Sequence, residues 1–463
     1  MIHGYQRLAA AFLGTLPGIC LAEDAPAPGG PRPVAATRPE LKEQLERSKQ
    51  SQPRLPLPPP TEAELAAAKA RPGQGAMGGI INNGRMRKLY LPPELTGGGF
   101  SREPDPAMTL SSTFKTMFFW IVSRANNCTY CQGHQEVKLA ADGVSEETIA
   151  ALDGDWSEFT AAERAAFAFT RKLTFEPNRL TDADIDRLRP YYKDLQILEI
   201  ITAVGGFNAM NRWTGALAIP QEAHRVYLTP TPEKFKTLRS LVAPLDPSAD
   251  STAPCCAQAA DRGPLETRAE VEAALAACRK QQPRLPLASE ASAREVLPAD
   301  WSSSGALPEW VRLLANFPKG GKAWVAATSH AQTKGRLSPK LRAEVAWVAA
   351  RHDRAWYALG HAERRLLELG MTDEEIRSLD KLGERFPPAE RAALGLARKL
   401  TVDPALIADS DIESLRKHYS DSEVAELIYQ VTQAAFFDRL TEAAGLRLED
   451  SSMSKPNGEE RLP

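Results

Sequence analysis

Apolar residues recur at three- and four-residue spacing along most of the chain, whereas alternating β-branched runs are scarce. This periodicity is typical of amphipathic helices that bury one face in a core. The most apolar helical segments, expected to form the core, are Leu110–Ala125, Leu195–Leu217, Leu341–Arg351 and Ser422–Ala444. The pattern predicts an all-α fold.

The sequence also predicts where several helices begin and end. Thr160 with Glu163, and Thr372 with Glu375, fit the capping box, in which the two side chains satisfy unpaired amides of the first turn. Helix stops are predicted at two glycines and two prolines: Gly143, Gly370, Pro177 and Pro404.

The chain contains an internal repeat. The segment QPRLPL occurs at 52–57 and again at 282–287, an offset of 230 residues. AERAA (162–166) and RKLT (171–174) both recur 227 residues later. A nearly constant offset across several matches indicates a tandem duplication. We therefore predict two helical domains, 61–242 and 265–448, joined by a linker over 243–264 and followed by a disordered tail over 449–463.

Composition excludes several classes of partner. The 463 residues are 43% apolar, which is enough for two or three domains with sizeable cores. Lys and Arg total 57 against 59 Asp and Glu, and no block of like charge stands out, so no nucleic-acid partner is predicted. No run of about 20 apolar residues occurs, so no membrane span is predicted.

The N-terminus has the layout of an export signal. His3 and Arg7 precede an apolar stretch over 8–22 that ends in a small-x-small pattern before Glu23. The alternative is a frayed amphipathic N-terminus. A signal over 1–22 would place the mature protein outside the cytoplasm, periplasmic or secreted, in an oxidising compartment.

The next segment, 23–60, is rich in Pro, Ala and Gly, including APAPGGPRPV and PRLPLPPP. Such a composition favours extended conformations, so a tether is predicted, with one short helical pattern at PELKEQLERSKQ (39–50).

One motif, NNCTYCQGHQE at 126–136, contains residue types that are typical of a reactive site. With a helix starting at the asparagines, Cys128, Cys131 and His134 fall at i, i+3 and i+6, within an arc of about 120°. Both sulfurs then lie in the first turn, where free amides and the helix dipole favour a thiolate. A second cysteine can capture an oxidised thiol as a disulfide, and histidine transfers protons near neutral pH. The spacing predicts a dithiol redox site.

Two other interpretations use the same residues. Cys128 and Cys131 can form a structural disulfide, or be small buried side chains. The two cysteines and His134 can also be three zinc ligands that lack a fourth, but the sequence has no partner CxxC or HxxxH. No metal and no cofactor are therefore predicted.

The motif, the apolar helix before it and the closing segment FNAMNRW together resemble the AhpD-like / carboxymuconolactone decarboxylase superfamily. The resemblance covers residues ~105–220 and, in the second copy, ~305–445. It implies an all-α fold assembled as a homo-oligomer. In the cysteine-bearing branch it also implies a thiol-dependent peroxidase or disulfide oxidoreductase, with a peroxide or disulfide substrate and a thiol reductant.

Position by position, the resemblance implies that Cys131 is attacked by peroxide, that Cys128 resolves it and that His134 belongs to a proton relay. The sequence departs from the family in two places. His134 follows the second cysteine by three residues instead of four, and Thr116 and Met117 stand where a glutamate is expected. Position near the helix terminus instead favours Cys128 as the more acidic thiol, so both assignments stay open.

The second copy lacks the thiols. His361 aligns with His134, but Ala355 and Ala358 stand where the first copy has its cysteines. A degenerate packing domain is the main interpretation, and a Glu344–His361 acid/base pair is the alternative. At the level of the whole chain, the alternatives to a redox enzyme are a non-catalytic oligomeric protein and a cofactor-free decarboxylase.

Three further cysteines lie outside the motif. Cys255 and Cys256 occupy the linker, and Cys278 lies on the helix that opens the second copy. Pairing of a linker cysteine with Cys278 is the expectation. Removal of Cys20 with the signal leaves five cysteines, an odd number, so at least one thiol is free or intermolecular.

Overall fold

The computed structural model describes residues 29–69, 80–97, 104–245, 262–301 and 305–449. Within these ranges the protein folds into twenty α-helices without a β-sheet, which confirms the predicted all-α fold. None of the helices in these ranges combines the length and apolar character needed to cross a membrane. The predicted signal, Cys20, Cys255 and Cys256 lie outside the described residues.

The helices divide equally between the two copies. The first copy contains α1 (Arg38–Arg47), α2 (Glu62–Lys69), α3 (Asn82–Tyr90), α4 (Pro93–Thr96), α5 (Ser112–Ala125), α6 (Thr129–Ala141), α7 (Glu146–Ala151), α8 (Ala161–Phe175), α9 (Asp182–Asp186) and α10 (Asp194–Ala216). The second contains α11 (Arg268–Cys278), α12 (Glu290–Arg294), α13 (Glu309–Leu314), α14 (Gly320–Thr333), α15 (Pro339–Asp353), α16 (Trp356–Glu368), α17 (Asp373–Arg377), α18 (Pro388–Val402), α19 (Asp409–Arg416) and α20 (Asp421–Ala444).

The two copies are related by a pseudo-two-fold axis. Helices α5, α6, α8 and α10 correspond to α15, α16, α18 and α20 at the 227-residue offset, and α10 packs against α20 at the centre of the molecule. Across this contact the Nη2 of Arg212 donates to the carbonyl of Thr401, and that of Arg439 to the carbonyl of Thr174, each at 3.0 Å. Equivalent residues therefore make equivalent contacts from both sides.

A second reciprocal pair explains why QPRLPL is repeated. Arg54 of the first QPRLPL donates to Asp409 of the second copy at 2.7 Å, and Arg284 of the second QPRLPL donates to Asp182 of the first copy at 2.7 Å. Each segment thus ties its own copy to the other one.

The predicted helix ends are present. Both capping boxes form, Thr160 with Glu163 and Thr372 with Glu375. Gly143 and Gly370 follow α6 and α16 with φ of +83° and +87°, a left-handed backbone that glycine adopts without steric cost. The predicted stops at Pro177 and Pro404 lie two residues after α8 and α18, where each proline opens a short 3₁₀ turn.

The predicted tether is wrong for its described part, residues 29–60. Helix α1 lies there, and its Leu41 and Leu45 are buried in the core. Arg38 of α1 donates two hydrogen bonds of 2.6 Å to the carboxylate of Glu136 on α6. Burial of the two leucines and a bidentate ion pair compensate the entropy of ordering a Pro-rich segment.

Candidate redox site in the first copy

The CxxC motif lies at the junction between α5 and α6. The predicted helix start at the asparagines is wrong, because α6 begins at Thr129 with Cys128 as its N-cap. Asn126 caps the end of α5, and Asn127 has a φ of 46°, a left-handed conformation that asparagine tolerates. The sharp turn at Asn127 therefore separates the two helices and leaves Cys128 at the tip of α6.

The structure brings the two predicted cysteines together around one hydroxyl. The Sγ atoms of Cys128 and Cys131 both lie 3.1 Å from Oγ1 of Thr214 on α10. Both cysteines are thiols, and their side chains are nearly inaccessible, at 1% and 3% exposure. Thr214 is a site residue that the motif alone does not indicate.

The two thiols differ in acidity. Burial alone raises the pKa of Cys128, but a hydrogen bond from Cys131, the positive charge of Arg32 and a hydrogen bond from Thr214 outweigh it and lower the pKa to about 6. For Cys131, burial and the neighbouring Cys128 both raise the pKa well above its usual value. Near neutral pH the pair is therefore a Cys128 thiolate that accepts a hydrogen bond from a Cys131 thiol.

Arg32 comes from the segment that precedes α1. Its guanidinium donates to the carbonyl of Gly215 at 3.3 Å, and a Cβ at Gly215 would lie only 3.0 Å from Nη2 of Arg32. A glycine at this position of α10 therefore lets the arginine approach the helix beside the thiols. The segment predicted as a tether thus contributes a charge to the site.

His134 lies one turn beyond Cys131 but contacts other groups. Its Nδ1 is 3.0 Å from the carbonyl of Tyr130, and its Nε2 is 3.2 Å from the carboxylate of Glu222. The ring also packs on Tyr130 with centroids 4.3 Å apart. Both ring nitrogens therefore lie near oxygen atoms. Among the described residues, none of its hydrogen bonds goes to a sulfur.

Glu222 is a carboxylate next to the candidate site that the sequence motif does not indicate. It lies in the segment after α10 and accepts hydrogen bonds from the Tyr130 hydroxyl at 2.7 Å and from Arg225 at 2.9 Å. Burial raises the pKa of Glu222, but the hydrogen bond and charge of His134, with the other donors, lower it to about 2. The repeat contains the signal that would have found it, because Glu449 lies 227 residues later.

Gly133 allows the Glu222 segment to cross α6. A Cβ at Gly133 would lie 2.2 Å from Nε2 of Gln221 and 2.7 Å from the Tyr227 hydroxyl. Gln221 donates from that same nitrogen to the carbonyls of Thr129 and Tyr130. The glycine between Cys131 and His134 thus permits the close approach that positions Glu222.

The family glutamate position on α5 holds no carboxylate. Thr116 donates to the carbonyl of Ser112 within its own helix, and Met117 is buried in the core. The carboxylate next to His134 is therefore that of Glu222, which follows the motif in the sequence, whereas the position of the family glutamate precedes it.

The second copy repeats the histidine cluster without the thiols. His361 lies 2.9 Å from Glu449, which also accepts from the Tyr357 hydroxyl at 2.7 Å. The Glu344–His361 pair is wrong, because the carboxylate of Glu344 pairs with Lys340 at 3.3 Å on its own helix. Glu449, predicted to begin the disordered tail, is buried.

Cys278 is a buried thiol in the structure, 3.5 Å from the carbonyl of Leu446. The predicted pairing of Cys278 involves Cys255 or Cys256, which lie outside the described residues. In the described ranges, no three His, Cys, Asp or Glu side chains are grouped so as to hold a metal ion.

Comparison with known proteins does not identify a family for this chain. No protein-family model matches the chain, and no curated protein does. Among solved structures the chain is similar to a variant of the debrominase Bmp8 in complex with 2,3,4-tribromopyrrole. The sequence identity is 16%, the alignment covers 40% of this chain and 90% of that one, and the TM-score is 0.30.

Proposed function

We propose that the first copy is a thiol-dependent peroxidase or disulfide oxidoreductase of the AhpD-like type, in which Cys128 attacks and Cys131 resolves. The observation that carries the proposal is the placement of both sulfurs 3.1 Å from one hydroxyl, with the charge of Arg32 acting on Cys128. Two thiols of unequal acidity within reach of each other are what a two-step dithiol reaction needs.

The reaction divides into two bond changes. The Cys128 thiolate attacks one oxygen of a hydroperoxide; the O–O bond breaks, Cys128 becomes a sulfenic acid and the other oxygen leaves as an alcohol after taking a proton. The Cys131 thiol then attacks the sulfenic sulfur, forming the disulfide and releasing water. Two electrons pass from the cysteine pair to the peroxide, and an external dithiol returns them.

His134 is the proposed proton donor to the leaving oxygen. It lies one helical turn from Cys131, and its Nε2 lies 3.2 Å from the Glu222 carboxylate. Glu222 is therefore a positioning residue: it orients the imidazole through Nε2 while Tyr130 fixes the opposite side of the ring.

Burial of both sulfurs favours a small substrate. Thiol–disulfide exchange with a protein requires an exposed sulfur, because the intermediate is a mixed disulfide between the partners. With Cys128 and Cys131 at 1% and 3% exposure, a small hydroperoxide and a small dithiol reductant fit the site better than a folded protein. Export of the protein and its assembly as a homo-oligomer stay predictions from the sequence.

The test is one equivalent of hydrogen peroxide with a sulfenic-acid trap, followed by mass spectrometry. Cys128→Ser should abolish oxidation, and Cys131→Ser should yield one trappable sulfenic acid at Cys128 without turnover. His134→Gln should slow the reaction by about a hundredfold, the lower end of general-acid contributions, and still allow the disulfide.

Cys278 is the internal control, because burial raises its pKa to about 12. Oxidation of Cys278 as fast as of the motif cysteines would overturn the redox proposal and leave a structural role for the pair. Loss of all peroxide reactivity in Cys131→Ser, with Cys128→Ser still reactive, would exchange the two roles, as the family resemblance implies.

A further inference from the structure

The second copy contains a partly open cavity at the position of the missing thiols. It has a volume of about 160 Å³ and lies between α15, α16 and α20, with Ala358 and His361 in its wall. A cavity of about 150 Å³ holds a benzene-sized molecule. Ala358 aligns with Cys131, so the cavity occupies the place that the redox site has in the first copy.

Two phenylalanines that are missing from the second copy account for this cavity. In the first copy Phe119 and Phe207 stack with ring centroids 4.1 Å apart and an interplanar angle of 15°. The residues 227 positions later are Ala346 and Ala434, and both line the cavity. Two facing rings are thus replaced by two methyl groups.

The cavity has aromatic walls. Trp310 and Phe437 both line it and meet edge to face, with ring centroids 5.6 Å apart and an interplanar angle of 81°. Trp301 lines it as well and packs on Trp310 at 5.9 Å. A flat ring inserted here would contact aromatic surface on more than one side, which suits aromatic–aromatic packing.

One buried acid in the wall has an unsatisfied oxygen. Asp438 is 1% exposed, and its Oδ2 has no hydrogen-bond partner among the described residues. Burial, with the nearby Asp353, raises the pKa of Asp438 well above its usual value, which favours the protonated form of this acid. In the first copy the same position is Asn211.

The remaining polar lining is predominantly positive. Arg342, Arg364 and Arg365 line the cavity, together with the carboxyl groups of Glu368 and Asp438. The Nη2 of Arg364 donates to the carbonyl of Glu449 at 2.6 Å, and Arg365 lies 3.6 Å from Glu368. Three guanidinium groups against two carboxyl groups favour an anionic ligand.

We propose that this cavity binds a small aromatic carboxylate of the size of benzoate, with its ring against the pair Trp310 and Phe437 and its charge toward the arginines. The second copy is then a ligand-binding domain, not only a packing partner. This inference goes beyond the proposed redox function and does not rest on it.

The test is a calorimetric titration of the full chain with benzoate, and with benzyl alcohol as the uncharged ligand of the same size. Benzoate should bind at one site per chain, and about tenfold or more tighter than benzyl alcohol, because charge-assisted hydrogen bonds require the carboxylate. Absence of saturable benzoate binding, or equal affinity for the two ligands, would overturn the proposal.

Refilling the cavity provides the matched variant. Ala434→Phe restores the ring found in the first copy and should weaken benzoate binding by more than about tenfold, with a melting temperature at or above that of the wild type. Leu367→Phe adds the same ring at an exposed position of α16 and should not alter binding. Unchanged benzoate affinity in a folded Ala434→Phe protein would contradict the proposal.

Peroxide oxidation of Cys128, measured on the same sample, reports on the first copy separately. Loss of benzoate binding with Cys128 still reactive overturns the cavity proposal alone. Benzoate binding with an unreactive Cys128 supports the cavity proposal and overturns the redox one.

Discussion

At the scale of single residues, Arg32 is the group outside the motif that most directly makes the pKa of Cys128 differ from that of Cys131. Its charge acts on Cys128, whereas Cys131 is affected chiefly by burial and by Cys128 itself. A buried thiol with no cation nearby is expected to have a raised pKa, so Arg32 is what distinguishes this CxxC from an inert pair of core cysteines.

Arg32→Met is therefore expected to raise the pKa of Cys128 from about 6 by about one unit, the lower end of the effect of one nearby opposite charge. Alkylation by iodoacetamide as a function of pH, followed by peptide mass spectrometry, measures the pKa. Arg47→Met removes a 68% exposed arginine from the same segment and should leave the pKa unchanged. An unshifted pKa in Arg32→Met would assign the acidity to Cys131 and Thr214 alone.

The Glu222 carboxylate makes stability depend on pH. Its pKa is about 2 in the folded protein and near 4.5 when unfolded, so its contribution is complete above pH 4.5 and is lost as pH falls through 2. The shift corresponds to about 3 kcal/mol. Glu222→Gln should thus lower the free energy of unfolding by up to this amount at pH 5, and by less at pH 3.

Urea unfolding at both pH values measures this difference. Glu43→Gln, at a 61% exposed position of α1, is the control and should show no pH-dependent effect of this kind. A Glu222→Gln protein whose deficit is the same at pH 5 and pH 3 would contradict the coupling of this carboxylate to His134.

These residues also show what the sequence can predict at this scale. Cys131 and His134 lie on one short helix that Cys128 caps, so local spacing identifies all three. Glu222 is 92 positions from Tyr130, which it contacts, and no local pattern connects the two. Only the repeat offset, which pairs Glu222 with Glu449, carries that information.

At the scale of elements, the crossing of α6 by the segment after α10 depends on Gly133. The helix would gain stability from alanine at this position, since glycine costs about 1 kcal/mol in a helix interior. The glycine is required instead by the Gln221 side chain, which lies where a Cβ would be. Packing against another segment outweighs helix propensity here.

Gly133→Ala is expected to destabilise the protein by about 1–3 kcal/mol, the range for overpacked sites, and to slow peroxide reduction by displacing Glu222 from His134. Gly395→Ala on α18 is the matched control, because no atom lies within 4 Å of its added Cβ. This control should be stabilised by about 0.5–1 kcal/mol. Thermal melts of both variants measure the contrast, and equal changes would contradict the packing argument.

Helix α1 also shows that a sequence pattern can indicate a helix without indicating its packing partner. Its short helical pattern is visible in the sequence, and the helix forms over Arg38–Arg47. Its docking depends on Arg38 and Glu136, which are 98 positions apart, so composition alone predicted a tether. Local signals predict that an element exists and not what it packs against.

At the scale of the whole molecule, the two copies form an internal dimer with equivalent surfaces. Arg212 and Arg439 make the same contact in opposite directions, as do Arg54 and Arg284. An interface in which one surface meets its own counterpart is self-complementary. If two first copies paired in the same way, Arg212 of one would meet the carbonyl of Thr174 of the other. In the full chain Arg212 instead meets the carbonyl of Thr401.

The copies differ at one point of this interface that matters for self-association. Phe436 of α20 packs on Gly205 of α10, within 3.3 Å of the position of a Cβ there. In the first copy the residue aligned with Phe436 is Ala209. A pair of first copies would therefore place an alanine against Gly205 and leave a gap, so the self-pairing should be weaker than the pairing of the two copies.

Residues 29–245 expressed alone are accordingly expected to self-associate through α10, because the α10 face that packs on α20 is otherwise exposed. Ala209→Phe should strengthen this association by restoring the ring that covers Gly205. Ala168→Phe, at an exposed position of α8, is the control and should have no effect. Sedimentation velocity over a range of concentrations measures the association. A soluble fragment that stays monomeric, in both the parent and the Ala209→Phe form, would show that the second copy is not needed to cover the first.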